Sequence, residues 1–495
     1  MKVLLSNPPC RVDSGDGKEK FFIRAGSRWP FSVTKKKEEK ADYLPFPFYL
    51  AYTAALLEKK GFDIVVNDAV TLNKTEEEFL QEIVRDNPDI ILFETSTPTI
   101  NHDLVLVNKI KKLLPKIKIA LAGPHVSTFF QETMKKSPVV DFIFIQEYEL
   151  SFTELVERLV QGKTFDDITG LVWRSGEQIK NNPPKLIDPL DQLPPPARRF
   201  FPIDLYWDGF CQYRPAVQMH ATRGCPFRCN FCLWNQVMYN NAKYRTFGVK
   251  RIVDEMKDCQ KKYGAKEVYF DDDTFTGNKQ FVLDFCREIK NRGLNIHWSC
   301  MGDAMITDEE MVEAMADAGC VGMKFGVESG DAEVLKKICK PVVHEKIKKV
   351  ARLLAKKHIK THATFTFGLS GETKESMKKT MDFAKELDVD SVQFSINTPF
   401  PGTRYYQESQ EKGLLLAKDW SDYDGATSSI VKFENLTNEE VEWRYCSASG
   451  EWLRYKLKSP RWVLRQVYNF FRLLVGQGTV GAGQKLKRLF ELIKS

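Results

Sequence analysis

Short apolar runs alternate with helical periodicity along the first third of the chain. Residues 2–6 read as a short buried strand, with a long polar loop after it from Asn7 to about Asp42. A helix is predicted over 45–60, ended by Gly61. Strand-like runs at 63–66, 90–93, 117–121 and 142–145 are separated by helical segments at 76–85, 104–113, 128–135 and 152–159. Apolar strands joined through helices predict an α/β fold with a doubly wound parallel sheet, Rossmann-like in kind. Ligands of such sheets bind beyond the C-terminal strand ends, where residues 94–97, 123–125 and 147–149 would lie.

The proline- and asparagine-rich stretches at 181–184 and 193–196 interrupt this pattern and read as a linker. Alternation restarts at Val217, with strands expected at 217–221, 267–270, 296–300, 322–327, 361–367 and 391–396 and helices between them. Six such units predict a partial (β/α)6 barrel with its site at the C-terminal strand ends. The expected organisation is 1–165 Rossmann-like, 166–205 linker, 206–410 barrel and 411–495 a C-terminal helical region.

Composition adds a compartment. The 495 residues are 43% hydrophobic and 28% charged, which excludes wholesale disorder, and a net charge of +7 is too small at this length to argue for nucleic acid. Eleven cysteines with no export-like start, and no long apolar run, point to a reduced, cytoplasmic protein rather than a disulfide framework or a membrane-spanning one.

Three of those cysteines share one loop, Ala221-Thr-Arg-Gly-Cys225-Pro-Phe-Arg-Cys229-Asn-Phe-Cys232, directly after the first barrel strand. A CxxxCxxC spacing can wrap three corners of a cubane cluster and leave one iron without a protein ligand. Structural zinc wants four ligands; His220 is placed to turn away from the loop, and no second CxxC exists. Cys225, Cys229 and Cys232 are therefore the metal-ligand candidates.

With these residues in view, the chain resembles the radical S-adenosylmethionine superfamily. The resemblance covers about 217–406 and implies a [4Fe–4S] cluster whose open iron chelates S-adenosylmethionine and releases a 5′-deoxyadenosyl radical. It implies that Phe231, just before the last cysteine, packs near the adenine. Asp271, Asp272 and Asp273 would meet the methionine amino group, Glu328 and Ser329 the ribose and carboxylate, and Gly368 and Gly371 the adenine. An electron donor such as ferredoxin or flavodoxin is expected. The first domain resembles the cobalamin-binding domain that precedes many such enzymes, through Ser6-Asn-Pro-Pro9, 45–51, Ala122-Gly-Pro-His125 and 141–147. Cobalamin contacts are then expected at Thr95, Ser96, Gly123, Ser127, His125 and Glu147; the alternatives are a Rossmann-like domain that only scaffolds and a His125 that only bonds within its loop. The Asp-x-His-x-x-Gly motif is absent, so no histidine of that kind reaches cobalt.

The continuation Cys232-Leu-Trp234 and the segments 398–403 and 420–424 resemble the branch containing anaerobic magnesium-protoporphyrin ester cyclases and hopanoid-lipid-tailoring enzymes. This implies modification of an unactivated carbon in an apolar small molecule, a lipid or tetrapyrrole, by methylation, cyclisation or rearrangement. Trp234, Met238, Tyr239, Phe400 and Tyr405 could line its pocket, or simply pack the core. No catalytic residue is assigned. The tail 461–475 reads either as a basic amphipathic helix on the inner membrane face or as a helix docked on the barrel. A non-catalytic cluster or cobalamin sensor and a zinc protein are the rival classes.

Overall fold

The computed structural model describes residues 1–15, 18–23, 31–36, 43–241, 243–425 and 428–494. Its first sheet contains β1 (Lys2–Asn7), β2 (Asp63–Asp68), β3 (Ile90–Glu94), β4 (Lys118–Ala122), β5 (Phe142–Phe144), β6 (Leu171–Ser175) and β7 (Gln178–Asn181), in the order β7-β6-β5-β4-β3-β1-β2. The first five run parallel, and β3 is buried throughout because helices cover both faces. The helix expected at 45–60 is Phe48–Lys59, and a Thr75–Glu78 capping box starts Glu76–Asp86.

Two expectations are corrected. Residues 166–205 were expected to be linker throughout, but they begin with β6 and β7, a hairpin that pairs antiparallel onto β5. The buried face of Leu171, Val172 and Trp173 holds it there, and Gly170 and Gly176, both at positive φ, make its turns. The polar loop expected from Asn7 to about Asp42 contains a three-stranded antiparallel sheet, Arg11–Gly15, Lys18–Ile23 and Phe31–Lys36. The middle strand is polar in sequence at its start but ends in the buried run Phe21-Phe22-Ile23. The sheet is anchored far away in sequence, where Ser32 N–H donates to the Asp424 carbonyl (3.0 Å).

The second sheet holds six parallel strands in sequence order: β8 (Ala216–Met219), β9 (Glu267–Phe270), β10 (His297–Gly302), β11 (Cys320–Glu328), β12 (Lys360–Phe367) and β13 (Ser391–Ile396). No bonds join β13 to β8, so the barrel is open on that side. Outward residues such as Phe325, Phe365 and Phe394 join the helices in one core. The segment around Phe210 plugs the floor: its ring lies against Gly322, where a Cβ would sit 2.7 Å away, and Lys360 Nζ donates to its carbonyl (2.6 Å). The tail forms the helices Asn438–Lys456 and Pro460–Lys494. Trp452 and Trp462 pin them to the carbonyls of Ala384 and Val389 (2.9 and 3.0 Å).

Candidate functional site

The three cysteines leave the end of β8 on a loop tied down at both flanks. Ala221 N–H donates to Asp272 (2.8 Å) and Gly224 N–H to Asp273 (2.9 Å), so the acidic triplet after β9 fixes the entry to the loop. On the far side the Gln236 amide lies within 3.1 Å of the carbonyls of Cys229, Asn230 and Cys232. All three cysteines are free thiols and half-buried. Burial pushes the Cys229 thiol up against the opposing pull of Lys340, and the neighbouring Cys232 and Cys225 push the same way, so the three share one environment. Among the described residues no three His, Cys, Asp or Glu gather closely enough for a single ion. A four-iron cube is a larger object and spreads its thiolates over its corners. The donor set fits such a cluster: three half-exposed thiols, with the Thr274 hydroxyl 3.1 Å from Cys225 Sγ.

Around this loop the expected S-adenosylmethionine residues converge from successive strands. Phe231 packs against the small cluster of Val334, Leu335, Ile338 and Leu369, which brings the aromatic beside the glycine motif. Gly368 and Gly371 both hold φ +74°, and a Cβ at Gly371 would collide with Lys337. Glu328 sits at a β11 bulge with φ +69°, accepting from Lys340 (3.0 Å) and Thr366 (2.9 Å). Ser329 is fully buried, with its hydroxyl 3.1 Å from that of Thr380. Asp271 accepts from Tyr43 (2.9 Å), and burial pushes Asp272 up to about 8. Asp273 is the one member of the triplet that is only half-buried.

At the first sheet, Thr95, Ser96, Gly123 and His125 stand together at the ends of β3 and β4. Gly123 takes φ +120°, and a Cβ there would lie 2.1 Å from the Thr95 carbonyl, so only glycine allows the two strand ends this approach. Ser6 Oγ, buried at the end of β1, has no partner among the described residues. That orphaned hydroxyl and the neighbouring Thr and Ser groups suit a polar cofactor edge. His125 is buried beside Trp420 (5.0 Å), and burial lowers its pKa to about 3, keeping the imidazole neutral. Glu147 has another task. Its carboxylate is paired with Arg223 (2.7 Å) and Arg245 (2.8 Å) and accepts from Ile187 N–H (2.7 Å). Burial works against its charge, and the two guanidiniums hold it below the ordinary carboxylate range. Glu149 takes the other arm of Arg223 (2.5 Å), whose guanidinium lies over the Tyr49 ring (4.5 Å).

The two halves abut. Thr128 Oγ1 lies 3.5 Å from the Pro401 carbonyl, and a Cβ on Gly402 would meet both Thr128 and Val237. Trp234, Met238, Tyr239, Phe400 and Tyr405 are all buried in packing contacts here, which is the plainer of the two readings the sequence allowed. The lumen wall is instead polar. Lys324 pairs in register with His362, Thr364 with Gln393, and Thr366 with Ser395. Most of these are half-exposed on the face opposite the helices. Sequence reasoning missed Thr274, Lys340, Gln236 and the Arg223–Glu147–Glu149 network. Only Arg223, two residues before Cys225, had a signal.

A thiol loop heading an open barrel is thus set against the strand ends of a Rossmann-like sheet. The Radical SAM superfamily pattern matches residues 219–384, and the B12 binding domain pattern matches 39–156. An uncharacterized methyltransferase of Pyrococcus horikoshii is 32% identical over 398 residues, covering 80% of this chain and 85% of that protein. The anaerobic magnesium-protoporphyrin IX monomethyl ester cyclase of Rubrivivax gelatinosus is 26% identical, over 80% and 71%. Among solved structures, the radical S-adenosylmethionine methyltransferase TsrM from Kitasatospora setae, with cobalamin and a [4Fe–4S] cluster bound, superposes with a TM-score of 0.66 at 20% identity. It covers 89% of this chain and 84% of TsrM. The chain belongs to the radical S-adenosylmethionine superfamily, in the subgroup carrying a B12-binding domain. Its cofactors are a [4Fe–4S] cluster, S-adenosylmethionine and cobalamin.

Proposed function

We propose that the protein methylates an unactivated carbon of an amphiphilic small molecule, with Cys225, Cys229 and Cys232 as the cluster ligands. When bound, the cluster and S-adenosylmethionine supply a carbon radical, and cobalamin supplies the methyl group. The chain's own residues position and enclose. Asp272 and Asp273 fix the entry to the cysteine loop, and Lys340 keeps the Glu328 carboxylate aimed across the strand ends. Gly368 and Gly371 leave room for a close-lying ring, and Phe210 closes the floor against water. Thr95, Ser96, Gly123 and His125 would hold the corrin edge, while Glu147 and Glu149 lock that half to the barrel through Arg223.

The observation that carries the reading is the contact of the strand-end segment after Gly123 with Met238, just past the cysteine loop, and with Gly402, just past β13. With the cofactors held as proposed, this contact would make them neighbours. The hydroxyl-bearing wall of β12 and β13 supports a substrate whose carbon skeleton carries polar groups, a departure from the apolar molecule expected from the chain alone. The reconstituted protein, incubated anaerobically with reductant, cobalamin, S-adenosylmethionine and a cell extract, should yield 5′-deoxyadenosine, S-adenosylhomocysteine and a product one methyl heavier. A modified product formed without S-adenosylhomocysteine would instead favour cyclisation or rearrangement.

A further inference from the structure

The helix Pro460–Lys494 meets the barrel with its polar edge. Arg465 reaches Asp388 (2.7 Å) and Asp390 (2.8 Å), Asn469 reaches Asp390 (2.8 Å), and Arg472 donates to the His358 carbonyl (2.9 Å). Away from the barrel, Leu464, Val467, Tyr468, Phe471 and Val475 recur at three- and four-residue spacing and are exposed by 70, 46, 46, 59 and 83%. The helix also buries Trp462 and Leu473 against the barrel, so the exposed stripe is a second apolar face, beyond the one that packing needs. Exposed Tyr455 and Leu457 extend the same surface from the end of the preceding helix. A contiguous apolar face of this kind marks an interaction site.

Charge decides what covers it. Residues 452–490 contain nine Lys or Arg and no Asp or Glu. Arg454, Lys458 and Arg461 are exposed beside the apolar stripe. In the sequence the apolar spacing resumes at Leu486, Leu489 and Ile493, with Lys485, Lys487 and Arg488 interleaved. None of the described helices is long and apolar enough to cross a membrane. This helix has 35 residues and is about 50 Å long, enough to lie along a surface.

We propose that this face rests on an anionic lipid bilayer, parallel to its plane, with the apolar side chains in the boundary between headgroups and acyl chains. The exposed arginines and lysines then meet lipid phosphates. A second copy of the chain fits less well, because pairing two such faces brings like charges together in a contact that excludes them. The inference rests on the helix alone and is independent of the proposed reaction.

The test uses the full chain with its cofactors reconstituted, sedimented with vesicles of phosphatidylcholine alone or of equimolar phosphatidylcholine and phosphatidylglycerol. It should sediment with the mixed vesicles at low salt, less as salt rises, and little with phosphatidylcholine alone. The double variant Phe471→Glu/Val475→Glu alters only exposed side chains and should weaken binding by about tenfold or more. Leu464→Ser/Tyr468→Ser should do the same in direction, should the first pair disturb the cluster absorbance. The proposal is overturned by failure to bind mixed vesicles at low salt, or by unweakened binding of both variants. It is equally overturned if the lipid-free chain sediments as a dimer that the variants split.

Discussion

Arg223 of the barrel and Glu147 of the Rossmann-like sheet lie 2.7 Å apart with neither side chain exposed. Arg223 also precedes the first cluster cysteine by two residues, so the pair ties the thiol loop to the cobalamin-binding half. Replacing one member leaves the others buried and uncompensated, a loss of about 3–5 kcal/mol. Arg223→Met should therefore lower the urea midpoint sharply. Arg223→Lys, which keeps the charge but not the two-armed reach to Glu147 and Glu149, should fall between. If Arg223→Met unfolds at the wild-type midpoint, the network does not clamp the halves.

Most of the architecture was legible because it rests on local periodicity. Strand β13 falls on the expected residues, and Glu76–Asp86 ends within a residue of expectation. What could not be read depends on distant partners. Glu147 looked like a ligand contact because it ends a strand, where such sheets bind; nothing near it in sequence announces Arg223 and Arg245. Lys340 lies in an irregular segment with no periodicity, and only the fold brings it to Glu328. In the tail, Arg465 and Arg472 are spent on the barrel while an apolar face turns outward, a division that the sequence alone does not reveal.

Gly123 is where backbone would shape the proposed cobalamin cradle. A methyl there would need to displace the Thr95 carbonyl at 2.1 Å and adopt a φ of +120°. Gly123→Ala should cost about 1–3 kcal/mol of stability. It should also reduce the cobalamin retained on a desalting column, read from the corrin absorbance, while the iron content stays at the wild-type level. Equal loss of iron would mean that the substitution unfolds the chain rather than the cradle.

Thr274 has one hydroxyl proton and two acceptors, the Asp273 carbonyl at 2.7 Å and Cys225 Sγ at 3.1 Å. A thiolate on a cluster carries the greater negative charge and draws the donor. A hydrogen bond to cluster sulfur favours the reduced form. Thr274→Val should keep the iron and shift the reduction potential downward by tens of millivolts, on the order expected for one such bond. A redox titration followed by electron paramagnetic resonance reads this directly; an unchanged potential removes Thr274 from the cluster environment.

Glu372 follows the glycine motif and accepts from Gly368 N–H at 2.6 Å, and burial pushes its carboxyl up to about 8. Its folded value is raised, so folding favours the protonated form. The stability this gives is full below the ordinary 4.5 and is lost as pH rises toward about 8. Glu372→Gln keeps an acceptor for Gly368 without the charge. The difference in unfolding free energy between wild type and variant should therefore grow in favour of the variant between these limits, by up to a few kcal/mol. A pH-independent difference would mean that the carboxyl ionises as freely as in the unfolded chain.

The lumen wall gives the sharpest test of what the barrel holds. Thr364 and Ser395 sit on adjacent strands, half-exposed on the concave face, while the neighbouring Phe365, Phe394 and Ile396 point into the core. An amphiphile seated there would place polar groups against these hydroxyls, whereas a hydrocarbon would offer them nothing beyond the Thr366 hydroxyl and Phe365 carbonyl that Ser395 already meets (3.3 and 3.4 Å). Thr364→Val with Ser395→Ala should leave iron, cobalamin and 5′-deoxyadenosine formation intact and cut methylated product by about tenfold or more. That combination separates substrate recognition from cofactor chemistry, since loss of a cofactor contact would lower 5′-deoxyadenosine as well. If product forms at the wild-type rate, or faster because the wall has become apolar, the substrate is a hydrocarbon at this surface and its polar groups lie elsewhere.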